Sequence, residues 1–430
     1  MLSTIKHFFT MALPPFLYAA ANEAPVYESV TNNTGKKIIN KILLGTYVKI
    51  IEDAGDYYKV VTAGPDGFMA KVHLSDKMGL KIFYLDVGQG DGALIEIGPL
   101  KILIDAGPAN NMHNYLTKWQ YTYLINARQP VHIDYVFISH FDIDHYKGFI
   151  KLLSNPQFTF GTIFHPGILK FAATGNPYNS GLGNTVLSEG KKYLTKTFDN
   201  LLSSTEPAAF NRDITNFMEA LLAARVQGRV GKVKRLKAGD KVVNQLIEGH
   251  LFKMELLAPF TEKISNRHCF RYFKEEGITI NGHSLVIKIS YGSRSFLFGG
   301  DLNSAAERYL MERYGVTNPF DVDVAKSCHH GSSDFTEDFM QLVNPYATVI
   351  SSGDNESFSH PRADAIGCAG KYAKGKRPLV YSTELARSIN LKSKEVLFGM
   401  INLRCNGTAI YMSQMKETNR PSDLWDSYGF

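Results

Sequence analysis

Four apolar runs in this chain end alike, delivering Asp or His at a turn, three of them at a glycine-containing turn. This repetition constrains the fold more than any other feature. Tyr135-Val136-Phe137-Ile138 leads into Ser139-His140-Phe141-Asp142-Ile143-Asp144-His145. Ser295-Phe296-Leu297-Phe298 ends in Gly299-Gly300-Asp301, and Val322–Cys328 in His329-His330-Gly331-Ser332. Ala347-Thr348-Val349-Ile350-Ser351-Ser352-Gly353 is followed by His360-Pro361. Short apolar, partly β-branched runs read as buried strands, and ligands set at strand ends are held rigidly enough for a metal site. A polar loop that happens to be rich in Asp and His is the plain alternative at any one of these places. Its weakness is the recurrence.

Four candidate ligands, His140, Asp142, Asp144 and His145, lie within six positions. The adjacent Asp144 and His145 must point different ways, so the natural expectation is two metals rather than one. Asp301 projects from a strand end in the same manner, behind two glycines that permit a sharp turn. Asp86, Asp91 and Asp105 each sit near a glycine beside an apolar run. Asp91 is a candidate to orient a ligand histidine, whereas Asp86 and Asp105 read as turn residues bonding their own backbone.

These motifs occur in the order Asp86-Val87-Gly88-Gln89-Gly90-Asp91-Gly92, Leu103-Ile104-Asp105-Ala106-Gly107, His140–His145, Gly300-Asp301 and His329-His330-Gly331-Ser332. In that order they resemble a metallo-β-lactamase-fold hydrolase. The run Phe83 to Asp91 and the His-x-Asp-x-Asp-His form are most similar to the soluble hydrolase domain of ComEC-type competence (DNA-uptake) proteins, over roughly residues 80–412. The resemblance implies an α/β (α+β) fold, a four-layer αβ/βα sandwich with a dinuclear site where the sheets meet. It implies His140 and Asp142 on a first metal, Asp144 and His145 on a second, and Asp301 bridging. His329 would complete the second site, with His330 its rival. His283 lies about where members of the superfamily place a further histidine ligand, although the competence branch often has none there.

Carboxylate in place of imidazole at Asp142 hardens the first site. The mixed His/Asp set suits Mn²⁺ best, with Zn²⁺ or Mg²⁺ as alternatives. Two such ions supply hydroxide at neutral pH and neutralise an anionic centre, which suits phosphodiester hydrolysis. Asp144, His330 and His360 are the candidate catalytic residues, the two histidines as proton donors to a leaving alkoxide. The leading expectation is a metal-dependent phosphodiesterase, most simply a nuclease acting on DNA. A hydrolase of a small nucleotide, ester or amide is the second reading, and a non-catalytic binding protein the third.

Hydrophobic residues make up 44% of the 430, enough for sizeable cores, and the net charge of +6 is compatible with an anionic substrate. Arg225, Arg229, Lys232, Lys234, Arg235 and Lys237 form one basic cluster, and Lys371, Lys374, Lys376 and Arg377 a second. Either could track phosphates, although solvated faces are the commoner meaning of such runs. The four cysteines are scattered and predict no disulfide framework.

Residues 16–77 carry short strand-like runs at Ile38–Leu44, Tyr47–Glu52, Tyr57–Thr62 and Phe68–Lys71. They resemble a bacterial SH3-like β-barrel, a class that binds peptides or cell wall, so an unknown peptide or protein partner is expected there. Asp213–Arg225 carries apolar residues at helical spacing. Residues 166–212 read as an insertion over the active-site edge, and residues 413–430 as a polar tail. A basic end and small residues near Ala19–Ala21 would suit a signal peptide over residues 1–21, hence secretion. The thin positive charge and Pro14-Pro15 favour a cytoplasmic chain. No apolar run reaches 18 residues, so no transmembrane helix, and no membrane channel of the competence kind, is expected.

Overall fold

The computed structural model describes residues 13–30, 36–174, 176–203, 209–353, 357–383, 400–415 and 421–430. Residues 1–12, which carry most of the expected signal-peptide features, lie outside them.

Alternation along the strands sorts the side chains into three layers of core. On Leu80–Tyr84, Leu80, Ile82 and Tyr84 face one core while Phe83 faces another, and Ile102 and Ile104 oppose Leu103 in the same way. This period of two is what a sheet covered on both faces requires. The first sheet has nine strands, in spatial order Val230–Arg235, Phe158–His165, Val131–Phe137, Leu100–Ala106, Gly92–Ile97, Leu80–Tyr84, Ile401–Cys405, Ile410–Met415 and Trp425–Gly429. The second has seven: Lys241–Ile247, His250–Ala258, Val286–Tyr291, Arg294–Phe298, Val324–Lys326, Ala347–Ile350 and Leu379–Ser382. Their facing sides share one apolar core containing Ile82, Ile95, Ile287, Phe296 and Val349.

The outer face of the first sheet is covered by helices Asn111–Tyr115, Gly148–Ser154 and Arg212–Val226, and that of the second by Ser304–Tyr314 and Glu337–Val343. The result is the four-layer αβ/βα sandwich. In helix Arg212–Val226 the expected stripe buries Ile214, Phe217 and Leu221 but leaves Leu222 exposed, and the Asn211 side chain caps it by accepting from the Ile214 amide. Truncating a fully buried residue of the shared core such as Ile287 to Ala would cost about 2–5 kcal/mol.

Each sheet has a parallel part, and this is what builds the site. Leu100–Ala106, Val131–Phe137 and Phe158–His165 run parallel in one sheet. Arg294–Phe298, Val324–Lys326 and Ala347–Ile350 run parallel in the other. Parallel strands send all their carboxyl ends to one edge, where their loops can converge.

A small all-β unit precedes the sandwich. Its seven antiparallel strands run, in spatial order, Ile38–Ile42, Ala24–Tyr27, Gly67–Ala70, Tyr57–Val61, Tyr47–Ala54, Phe16–Ala19 and Leu74–Ser75. It has its own core of small and β-branched residues, including Val26, Val48, Ile50 and Val60. The polar tail does not stand apart: Trp425–Gly429 pairs with Ile410–Met415 and extends the nine-stranded sheet. No helix among the described residues is long and apolar enough to cross a membrane.

Candidate metal centre

The parallel register decides which residues meet. Ile104 pairs with Phe137, so Asp105 lies alongside the start of the His140 loop. Asp105 takes a left-handed backbone (φ 55°), and its fully buried carboxylate accepts from the Ser139 amide at 2.7 Å. Its other oxygen lies 2.9 Å from His145 Nδ1. Gly90 is needed beside this loop, because a Cβ there would stand 2.3 Å from the Asp144 carbonyl oxygen.

Four side chains converge at the sheet edge: Asp144, His145, Asp301 and His330, with one ligand atom of each within 4.8 Å of all the others. His145 Nε2 is 3.3 Å from Asp301 Oδ1 and 3.3 Å from His330 Nε2. His330 Nε2 is 3.3 Å from Asp144 Oδ2 and 3.2 Å from Asp301 Oδ2. The opposite nitrogen of each ring is already engaged. His145 Nδ1 faces Asp105, and His330 Nδ1 faces the Ser351 carbonyl at 3.0 Å and Asp91 Oδ1 at 3.2 Å. With acceptors holding Nδ1–H, both Nε2 lone pairs point inward. This is how proteins orient metal-binding imidazoles.

Two lone pairs and two carboxylates facing one another demand positive charge between them. Burial alone would lower the pKa of His145 and of His330, but Asp301 leads a set of carboxylates that holds both well above the ordinary imidazole value. Burial raises Asp301, and the two histidines override it, leaving the carboxyl well below its usual range. Asp91 is paired with Lys326, a fully buried ammonium. The donor set therefore fits a divalent cation: two nitrogens, two carboxylates, all but Asp144 buried, each imidazole pinned from behind.

The structure reverses the expected positions of His329 and His330. Both have left-handed backbones (φ 48° and 54°), and their ring centroids stand 6.3 Å apart. His330 is buried in the cluster. His329 Nε2 stays 3.9 Å from Asp301, and its ring lines an adjacent groove. Two consecutive non-glycine residues in this region cost about 1–3 kcal/mol each, strain that concentrates at functional sites.

His283 is the second correction. Its ring packs against Phe270 and Phe273, and its Nε2 donates to the Arg271 carbonyl at 2.7 Å, so it does not join the cluster. His140 is fully buried, with Nδ1 near Ser139 and Ser284 hydroxyls, and its Nε2 has no hydrogen-bond partner among the described residues. Asp142 does not enter the cluster either, because Lys170 pairs with its Oδ1. His140 and Asp142, expected on a first metal, thus lie outside the four-residue cluster.

The groove beside the cluster measures about 530 Å³ and is lined by His329, Ser332, Ser333, Asp334, Phe358, His360 and Arg362. Gln89 Oε1 accepts from the Gly353 amide at 3.2 Å, which turns its amide nitrogen onto His360 Nδ1, also at 3.2 Å. Nδ1 is therefore an acceptor, and the His360 proton resides on Nε2.

The basic clusters are largely occupied by the fold. Arg229 donates to the Leu153, Asn155 and Phe158 carbonyls, Arg225 to the carbonyls of Val230 and Gly231, and Arg235 pairs with Asp199. Lys371 and Lys374 pair with Glu337 and Asp321. Lys232, Lys234 and Lys237 remain exposed.

Two facing mixed sheets place a His/Asp cluster at the shared carboxyl edge of their parallel strands, reached through the same ordered motifs that carry the sequence resemblance. In its layers and in the order of its motifs the chain resembles the metallo-β-lactamase-fold hydrolases, in a ComEC-like form. ComE operon protein 3 of Bacillus subtilis (strain 168) is 28% identical over 149 residues, 34% of this chain and 16% of that protein. Competence protein ComA of Neisseria gonorrhoeae is 33% identical over 89 residues, 20% of this chain and 13% of that protein. The matches thus span less than a fifth of the length of either relative. Igni18, a metallo hydrolase from Ignicoccus hospitalis KIN4/I, has a TM-score of 0.35 at 13% identity, covering 71% of this chain and 95% of that one. No protein-family profile matches the chain.

Within this ComEC-like fold, sequence reasoning alone misses three positioning residues. Asp105 carries the same strand-end signature as the other motifs, which was the available signal. Gln89 lies in the Phe83–Asp91 motif without any local hint of its partner. Lys170 has no signal at all, because only the tertiary fold brings it to Asp142.

Proposed function

We propose that this chain is a metal-dependent hydrolase of phosphodiesters. The observation that carries the reading is the convergence of Asp144, His145, Asp301 and His330, with both imidazoles anchored through Nδ1, beside an open groove. These four residues would hold a divalent cation, with Mn²⁺ favoured by the hard oxygen donors and Zn²⁺ as the alternative. When bound, such an ion acidifies a water and screens charge on a phosphoryl group.

The chain's own residues supply the rest. A water oxygen forms the new bond to phosphorus, and the ester P–O bond breaks. The His360 Nε2–H, which Gln89 keeps in the donor tautomer, hydrogen-bonds the departing oxygen, and that oxygen takes up the proton the attacking water loses, relayed through solvent. His329 contacts the phosphoryl oxygens from the groove wall. Phe358, 59% exposed and stacked on His360, offers a base a face to lie on, and Arg362 a phosphate partner.

DNA is the proposed substrate, supported by the competence-protein similarity and by the exposed Lys232, Lys234 and Lys237. A nucleotide-sized phosphodiester is the second reading. It is favoured by the engagement of most other basic residues in structural pairs. The test is hydrolysis of single- and double-stranded DNA and of bis(p-nitrophenyl) phosphate with Mn²⁺, Mg²⁺, Zn²⁺ or EDTA, beside an Asp144→Ala/His145→Ala control. Metal-dependent cleavage of DNA that the control lacks supports the nuclease. Cleavage of the small ester alone selects the second reading, and no cleavage of either defeats both.

A further inference from the structure

We propose that the chain holds a single divalent cation rather than a pair, and that the Lys170 ammonium takes the place of the first metal at Asp142. This rests on the metal reading above and adds what occupies the neighbouring position.

Asp142 is already committed. Lys170 Nζ pairs with its Oδ1, and the Asn281 amide, oriented to donate, reaches its Oδ2 at 3.1 Å. Oδ1 has no hydrogen-bond partner among the described residues, but its charge is met by the ammonium, and a carboxylate so compensated gains little from a metal. The metal would have to displace the ammonium before binding. The neighbouring nitrogen donor is also missing, since His283 is turned into an aromatic pocket with its Nε2 spent on the Arg271 carbonyl. No group of three or more clustered His, Cys, Asp or Glu ligands among the described residues includes His140 or Asp142. With Asp142 held by Lys170, what remains is the His140 imidazole and an Asp301 already used by the cluster, fewer than the about four to eight ligands that divalent cations of this kind take.

Lys170 is held in position by more than its charge. Ile168, Leu169 and Phe171 around it are buried, and its own carbonyl accepts from the Asn211 amide at 3.2 Å. It opens the insertion at 166–212, which is tied to helix Glu276–Gly282 where the Gly181 amide donates to Glu276 at 2.6 Å. The Lys170 side chain keeps 34% of its surface exposed, enough to meet a ligand. A lysine here needs no loading and offers a compact cationic donor, suited to a phosphoryl or leaving-group oxygen next to the metal.

The test loads the purified full chain with Mn²⁺, removes unbound ion, and measures metal per chain by mass spectrometry together with the electron paramagnetic resonance spectrum. The wild type should carry one Mn²⁺ with an uncoupled spectrum. Lys170→Ala should free Asp142 to act with His140 and Asp301, raising the content towards two with a spin-coupled signal, while Lys170→Arg stays at one. Two coupled ions in the wild type would overturn the proposal. One ion in both wild type and Lys170→Ala would overturn the role given to Lys170. Asp301→Asn separates the underlying reading: it should lose the single ion, and a wild type that binds none would sink the metal assignment itself.

Discussion

Replacing Asp105 with Asn isolates the role of the pinned imidazole. The carboxylate accepts twice, from the Ser139 amide at 2.7 Å and opposite His145 Nδ1 at 2.9 Å. An asparagine has one acceptor oxygen. If it serves Ser139, the NH₂ faces His145 Nδ1 and forces the ring into the Nε2–H tautomer. The proton then points into the centre, where a lone pair is needed. Loss of such a supporting group lowers metal affinity by about 10–100-fold, or about 1.4–2.7 kcal/mol. Stability should move the other way. Burial raises the Asp105 carboxyl above its ordinary pKa despite His145, so an ionised group there is costly without metal, and the neutral isostere should leave the metal-free protein at least as stable. The assay is competitive titration with a chromophoric chelator, alongside thermal unfolding with and without Mn²⁺. Asp86→Asn is the control, since Asp86 accepts from Gly88 two residues on, as a turn residue does. Unchanged Mn²⁺ affinity in Asp105→Asn would refute the reasoning, as would an equal loss in the control.

Other outcomes separate neighbouring residues. His330→Ala should lose bound metal, whereas His329→Ala should keep it and lose turnover; metal content read beside activity decides, and the reverse pattern would restore the order expected from sequence. Gln89→Ala should leave metal content intact while lowering turnover and shifting its pH profile, because His360 loses the donor that fixes its tautomer; an unaltered profile removes His360 as the hydrogen-bond donor to the leaving oxygen. Burial pushes the Glu307 carboxyl up to about 8 from an ordinary 4.5, against two hydrogen bonds from Thr336. Between those values the folded state binds the extra proton, so this group's contribution is greatest below about 4.5 and declines as pH rises to about 8. Glu307→Gln should therefore gain stability relative to wild type from pH 5 to pH 8 in urea unfolding, and a constant difference would contradict the assignment. A fragment of residues 78–430 should fold and bind metal, since residues 16–75 have a separate core; an unfolded fragment would show that the sandwich depends on the β unit.

Much of the centre was legible because its chemistry is local. The strand-then-Asp/His pattern at His140–His145 and Gly300-Asp301 follows from apolar alternation and turn chemistry within a few residues. Alternation also marks the layers, and helical spacing marks Arg212–Val226. What remained hidden depends on partners far apart in the chain. His329 and His330 are equivalent in sequence, and only two successive left-handed residues, with Ser351 and Asp91 waiting for one ring, choose between them. Asp105 reads as a turn until the pairing of Ile104 with Phe137 sets it beside Ser139 and His145. His283 keeps a plausible position in sequence, but aromatic packing rotates it away. Lys170 reaches Asp142 only because the insertion folds back across the sheet edge. The sequence by itself determined which donors stand at strand ends, since backbone period and turn preference act over a few residues. Tertiary structure alone decided which donors share a centre, because strand register and packing set distances between residues that no local rule connects.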